Sequence, residues 1–538
     1  MPFDTATLDI AQLDTAHVGD IRGAFGSIKR DDVAPRNGWR HRLLTLLAIL
    51  GPGLIVMVGD NDAGAFATYT QAGQEYGMRL LWTLPLLIPV LFVNQEMVLR
   101  LGAVTGVGHA RLIFARFGRF WGAFSIIDLF LLNALTIVTE FIGVSLGLAY
   151  LGLPKLWGVV AAAGVIIGAA ATGDFRRFER FMMTLVLGSL AIWPILVMVH
   201  PGLGATAAGL VPQLPHEGKL GDVMLLVIAI VGTTIAPWQL FFQQSYVVDK
   251  RITPRFMRYG KADLWIGIAL VVIGAAAMMA FTAAAFATTR TPFTDAGGVA
   301  LGLEHAASRA AGVLFAIGLI DASIIGASAV SLSTAYAIGD VFKVKHSLHR
   351  KPAEAALFYV VFAGLLVASA ALVLIPGTPL GLLTNAVQTL AGVLLPSATV
   401  FLLLLCNDAA VLGPWRNGRW VNLFTGAVIA GLVLLSITLT ASVLWPDLDG
   451  RAIAWTLGGG AAVTLAVWAG ASFGRRDGRA DVDRIGKEGW RMPPLAALPP
   501  QKMSAMEKVW MAVLRAYLVL AGGLVISRIL QLAIAHRA

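Results

Sequence analysis

Two carboxylates and an amide, Asp60, Asn61 and Asp62, stand side by side within an apolar run long enough to cross a membrane. A carboxylate at the centre of a bilayer costs roughly 2.5 to 3.5 kcal/mol even on lenient insertion scales. Such groups therefore face cavities and mark the path of an ion or solute. Gly51, Gly53, Gly59 and Gly64 flank them. Glycine lets a helix unwind beside the acids and expose backbone carbonyls, so the segment reads as a cation site.

A second apolar run, from Gly232 to Gln244, carries Pro237 in its middle, followed by Gln239, Gln243 and Gln244. Proline removes a backbone donor and frees a carbonyl one turn earlier, which predicts a helix break between Thr233 and Pro237. The elements that position these two breaks follow from hydropathy. Hydrophobic residues make up 57% of the chain and charged ones 13%, and the mean hydropathy is +0.76. That composition describes a polytopic membrane protein. Spans are expected near 43–73, 80–103, 121–150, 156–172, 180–199, 222–246, 262–287, 308–340, 356–375, 380–406, 420–445 and 452–473, with a weaker candidate at 509–533. The irregular spans are the first and the sixth. They open two five-span halves, and because five is odd the halves must be inverted. Broken helices at matching positions of inverted repeats point to a transport site at the midplane.

Residues 1–42 are polar and lack a signal-peptide core, and read as a cytoplasmic tail. Basic residues then fall on alternate connections, among them Arg111 and Arg116, Arg176 and Arg177, Lys250 and Arg251, Lys343 and Arg350, and Arg416 and Arg419. This bias places the N-terminus in the cytoplasm of a multi-pass protein of the plasma or inner membrane. The net charge of +10 is thus topological. Dispersed over short loops with no nucleic-acid motif, it does not indicate a nucleic-acid partner; the expected partners are a divalent ion and the lipid bilayer. The lone Cys406 excludes an intramolecular disulfide, and all nine histidines lie in tails, loops or span ends. Domain boundaries follow: tail 1–42, first repeat 43–199, extracytoplasmic loop 200–220, second repeat 221–406, additional spans 407–473, and a linker with a last helix that crosses or lies along the membrane at 474–538.

Over residues 43 to 445 the chain resembles the Nramp family of divalent-metal transporters. In that family the first broken helix reads Gly-Pro-Gly and then Asp-Pro-Gly-Asn; here Gly51, Pro52 and Gly53, then Asp62, Ala63, Gly64 and Ala65, occupy those places. The sixth-helix motif is matched by the run from Gly232 to Leu240, and further echoes are Arg100 to Gly106, Glu140 to Gly143, Gln388, and Leu395 with Pro396. The resemblance implies an all-α, LeuT-like fold of five plus five inverted helices with extra C-terminal helices. It also implies a metal site drawn from Asp62, the Thr233 carbonyl, position 236 and Gln388, with no bound cofactor beyond the transported ion; Asp60 and Asn61 are additions to the family pattern and join the candidate site by their place in the break.

The departures are informative. The family's metal-binding asparagine and methionine become Ala65 and Ala236, its two sixth-helix histidines become Trp238 and Gln243, and a span 3 aspartate becomes Ile137. This pattern resembles the Nramp-related magnesium transporter branch. Loss of a soft thioether leaves carboxylate, amide and carbonyl oxygens suited to hard cations. The added volume suits magnesium, which dehydrates reluctantly and keeps several waters.

Each residue also has a plainer role open to it. Asp62 is placed to cap the following half-helix, Asp60 to cap or hold a water, and Gln388 to bond another helix, while Glu140, Glu96, Asp128 and Asp321 suit internal polar networks. The expected function is divalent-cation transport by alternating access, for magnesium and then manganese, without obligatory proton coupling, since Trp238, Gln243 and Ile137 cannot titrate. A proton-coupled manganese or iron transporter, or an organic-solute symporter on the same scaffold, are the alternatives. The chain carries no catalytic constellation, so an enzyme is not expected.

Overall fold

A computed structural model describes residues 13–213, 220–288, 292–376, 380–444 and 486–499, with isolated positions at 215, 455–456, 458–462, 466, 511–512, 514–516, 519 and 523. The expected spans at 452–473 and 509–533 lie, for most of their length, outside the described residues.

Long apolar stretches can satisfy their backbone in lipid only as helices, and nearly all ordered structure is helical. The first half comprises α1 (Trp39–Ile49), α2 (Pro52–Val58), α3 (Ala63–Tyr76), α4 (Thr83–Thr105), α5 (His109–Phe117), α6 (Arg119–Tyr150), α7 (Lys155–Ala171), α8 (Phe175–Gly188) and α9 (Ile192–Val199). After the short α10 (Leu203–Gly209) come α11 (Leu220–Thr234), α12 (Pro237–Asp249), α13 (Met257–Ala285), α14 (Ala296–Ala306), α15 (Arg309–Phe342), α16 (Ala356–Val373) and α17 (Leu380–Asn407). The chain continues through α18 (Ala409–Leu412) into α19 (Arg419–Leu444). Among the described residues nine helices are long and apolar enough to cross a membrane, or ten if α1 and α2 form one bent span. The fold is LeuT-like: a five-span repeat opened by the broken pair α2 and α3, then its inverted partner opened by α11 and α12.

Glycine lets the central helices approach closely. On α6, a Cβ at Gly143 would fall 2.3 Å from the Ser323 hydroxyl of α15, and one at Gly147 would fall 2.6 Å from Ile320. On α2, a Cβ at Gly53 would meet the α13 backbone at Leu264 within 2.7 Å. Such contacts are how helices associate where lipid offers no hydrophobic gain.

The sequence places one interrupted span at 43–73, but the chain also bends by 55° between α1 and α2. Gly51 adopts φ +154°, which an L side chain rarely tolerates, and Pro52 starts α2 without a backbone donor. Trp39 to Leu44 are exposed on α1, Thr45, Ala48 and Ile49 turn inward, and burial becomes continuous from Gly51.

Residues 14 to 34 are built onto the helix ends. A hairpin of β1 (Ile21–Gly23) and β2 (Gly26–Ile28) pairs Ile21 with Ile28. The Ala24 amide donates to Glu179 at 2.6 Å, and Arg176 and Arg180 of α8 donate to the carbonyls of Gly23 and Ala24. Asp14 takes a forked pair of bonds from Arg350 and one from the His346 amide, tying the segment to the connection between α15 and α16.

Candidate metal centre

Between α2 and α3 the chain turns out of regular helix after Gly59, and Asp62 is extended before α3 begins. Among the described residues no backbone N–H donates to the carbonyls of Gly59, Asp60 or Asn61. The second break falls at Ile235 and Ala236, where Ala236 is extended (φ −94°, ψ 146°) and precedes Pro237, the first residue of α12. Pro237 stands four residues after Thr233 and has no N–H, so the Thr233 carbonyl loses its helical donor.

The breaks meet through side chains. Gln239, on the first turn of α12, donates its amide to Asp60 Oδ1 and accepts from Gln95 Nε2 of α4 at 3.0 Å. Tyr69 of α3 hydrogen-bonds the Thr234 hydroxyl of α11 at 2.7 Å. Gln388 of α17 packs on both: a Cβ at Gly64 would overlap its side-chain amide at 1.6 Å, and one at Gly232 would lie 2.5 Å from its carbonyl. Neither position admits a larger residue without displacing Gln388.

Asp62 caps α3, its Oδ1 accepting the Ala65 N–H at 2.9 Å. Beside it Glu140 of α6 accepts the N–H of Ala63, the residue after Asp62, at 3.2 Å. Gly326 of α15 leaves room for this pair, since a Cβ there would sit 2.7 Å from the Glu140 carboxyl and 3.0 Å from Asp62 Cβ. Asp60, Asp62 and Glu140 are 1%, 3% and 0% exposed, and sealed from solvent. Among the described residues none pairs with Lys, Arg or His. Asp60 Oδ2, Glu140 Oε1 and the Thr233 hydroxyl lack partners altogether. Buried oxygens left unpaired are costly, and a cation or a proton would relieve them.

Asn61 is engaged elsewhere, donating to the Val271 carbonyl of α13 at 3.2 Å. Ala236 and Trp238 are buried, and the Trp238 indole reaches within 3.7 Å of a Cβ built at Gly59. Among the described residues no three His, Cys, Asp or Glu side chains stand in metal-ligating geometry. Any ion held here therefore takes carbonyl, amide and water oxygens besides the carboxylates.

Sequence reasoning did not select Gln239, Gln95, Tyr69 or Thr234 for the site. The signal for the two glutamines was present, since a buried amide in a lipid-crossing helix needs a partner and usually has a purpose. It also missed Asp263 of α13, which accepts the N–H groups of Gly51, Gly53 and Leu54 and so holds the start of α2. Next to it Lys250 bridges Glu179 and the Leu50 carbonyl, each at 2.7 Å. Glu96, by contrast, joins an ion-pair network with Arg100 and Lys261, and Asp128 meets Ser397.

Two inverted helical repeats, each opened by a broken helix and meeting at a buried polar centre, define a multi-pass helical membrane protein of the transporter type. The family model for natural resistance-associated macrophage protein-like (Nramp) sequences matches residues 53–442. The chain belongs to the Nramp family. It is 30% identical over 314 residues to the divalent metal cation transporter MntH of Burkholderia ambifaria, covering 55% of this chain and 70% of that one. With MntH of Pectobacterium carotovorum subsp. carotovorum it shares 28% identity over 413 residues, 73% of this chain and 94% of the relative. In fold it is similar to the Eremococcus coleocola manganese transporter bound to an aromatic bis-isothiourea compound, with a TM-score of 0.62 and 20% identity, over 82% of this chain and 98% of that one.

Proposed function

We propose that this protein carries divalent cations across the membrane by alternating access, magnesium first and manganese second, from a site between the two helix breaks. The observation that carries the reading is the set of three sealed carboxyls, Asp60, Asp62 and Glu140, with no basic partner among the described residues and the donor-free Thr233 carbonyl at the facing break. A divalent cation supplies the missing charge, and oxygen ligands alone favour a hard ion. Asp62 and Asp60 are the charged ligands, Thr233 offers its carbonyl, and Gln388 offers its amide oxygen from between the half-helices. Ala236 leaves the space in which an ion keeps some of its water. Asn61 serves the break by anchoring it to α13.

Membership in a family whose relatives are named divalent metal cation transporters supports the substrate class. The basic connections support a cytoplasmic N-terminus. Trp238, Gln243 and Ile137 carry no titratable group, which supports transport without obligatory proton coupling; entry is then driven by the ion gradient and by the membrane potential, worth about 2.3 kcal/mol per charge per 100 mV. The test is flux into proteoliposomes loaded with a pH indicator, comparing magnesium, manganese, calcium and iron. Magnesium entry without protein-dependent acidification is expected. Stoichiometric acidification would overturn the uncoupled reading, and absence of any metal flux would overturn the whole.

A further inference from the structure

A cavity of about 680 Å³ lies on the face bearing the basic connections, with Asp60, Asp62 and Glu140 all outside its wall. Small-molecule sites commonly occupy 300 to 1,000 Å³. Four separate parts of the chain form its wall: the N-terminal segment, the end of α4 at Gly102 to Gly106, the connection from α12 to α13, and residues 488 to 491.

Four guanidinium groups line it, those of Arg30, Arg251, Arg255 and Arg491, against two carboxylates, Asp32 and Glu488. Asp32 is already paired with Arg36 at 2.8 Å. Among the described residues none of the four arginines forms an ion pair. The side-chain hydrogen bonds of three of them go to neutral carbonyls instead. Arg251 donates to the carbonyls of Ala16 and Asp20, Arg255 to those of Asp32 and Ala34, and Arg491 to those of Glu488 and Trp490. Carbonyls fix the direction of a guanidinium without neutralising it. Arg251 is held at φ +67°, a left-handed backbone that a non-glycine residue adopts only when its surroundings enforce it. Burial lowers the pKa of Arg491, and no carboxylate acts against that effect. Arg251, Arg255 and Arg491 are thus oriented and partly buried without an ion pair, and Arg30 adds a fourth, exposed positive charge at the rim.

We propose that this cavity is a binding site for a phosphate-bearing anion, whose ligand ties the N-terminal segment and residues 488 to 491 to the α12–α13 connection. Guanidinium groups arriving from several walls match a tetrahedral, multiply charged group that accepts bidentate bonds on more than one side. The volume exceeds that of a single phosphate, which leaves a nucleotide or the headgroup of an anionic phospholipid as the source. Because α12 is the second half of the broken sixth span, a bound ligand biases whatever motion that half-helix makes. This last consequence, and no other part, rests on the transport reading.

The test uses the full-length protein in nanodiscs, with divalent ions chelated, and reads binding and thermal unfolding rather than flux. In neutral phosphatidylcholine discs, ATP or inorganic pyrophosphate is expected to bind saturably and raise the unfolding temperature. If the source is lipid, the rise appears instead on replacing part of the phosphatidylcholine with phosphatidylglycerol. Either response should weaken about tenfold or more in Arg30→Glu combined with Arg491→Gln, the loss expected for charge-assisted bonds. Arg30 is exposed, so its change leaves folding intact; Arg79→Gln, outside the cavity, should respond as the parent does. No response to ATP, pyrophosphate or phosphatidylglycerol, or an equal response in parent and double variant, would overturn the proposal. Failure here would leave the metal-flux result untouched, and failure of metal flux would leave this binding result untouched.

Discussion

Asp62 has two roles to separate, and Asp62→Asn separates them. Its Oδ1 caps α3 through the Ala65 N–H at 2.9 Å, and asparagine, an equally good cap, keeps that bond. What asparagine removes is the negative charge beside Glu140 and Asp60. A charge-assisted contact contributes about 1.5 to 3 kcal/mol, and about 1.4 kcal/mol is tenfold in affinity, so magnesium or manganese binding should weaken by roughly ten- to a hundredfold. Thermal stability without metal should stay level or rise, since one of three sealed carboxyls has become a neutral amide. Asp62→Ala should lose both the cap, about 1 kcal/mol, and the metal. The assay is calorimetric titration of each ion into purified protein alongside thermal unfolding of the metal-free form. If Asp62→Asn binds both ions as tightly as the parent while Asp62→Ala is merely less stable, Asp62 is a cap and nothing more.

Ala236→Met adds a soft thioether and removes space for water, so competition between the ions should shift from magnesium towards manganese or iron; an unchanged ratio would mean that position 236 does not face the ion. Lys250→Met strands the Glu179 carboxylate, since both partners are fully buried at 2.7 Å, and a loss of about 3 to 5 kcal/mol is expected in denaturant unfolding, partly restored by adding Glu179→Gln; a loss below about 1 kcal/mol would contradict it. In the connection after α15, burial disfavours charge on His346, but the Asp340 carboxylate at 3.0 Å outweighs it and lifts its pKa to about 9. A raised folded pKa contributes stability that is complete below the ordinary histidine value near 6.5 and disappears as pH climbs through 9. The unfolding temperature of the parent should therefore exceed that of His346→Gln at pH 6 and lose that margin above pH 9, and a margin constant with pH would refute the assignment.

The two broken helices were legible in the sequence because their causes are local. Pro237 acts through its own backbone, and Asp60 and Asp62 are conspicuous wherever lipid surrounds them. Inversion of the repeats followed from counting spans, since an odd number reverses direction. Residues 14 to 34 offered no such signal. Polar and mixed in charge, they read as part of a cytoplasmic tail, and only the structure shows them fastened across the helix ends.

That difference is one of range. Hydropathy, proline and glycine act within a few residues, so the sequence by itself determined the spans, the breaks, and the presence of buried acids between them. Partners brought together from distant segments were decided by tertiary structure alone. Asp14 meets Arg350 across 336 positions, Asp60 meets Gln239 across 179, and Lys250 meets Glu179 across 71. No pattern along the chain encodes such a pair, because either member could be satisfied by water, by a neighbour or by another helix. Only the packing of distant elements, such as α12 and α8 each against α2, selects which. Tertiary packing also turns Asn61 to α13 and sets Asp62 and Ala63 against Glu140 of α6, a division between adjacent residues that depends on which helix each one faces.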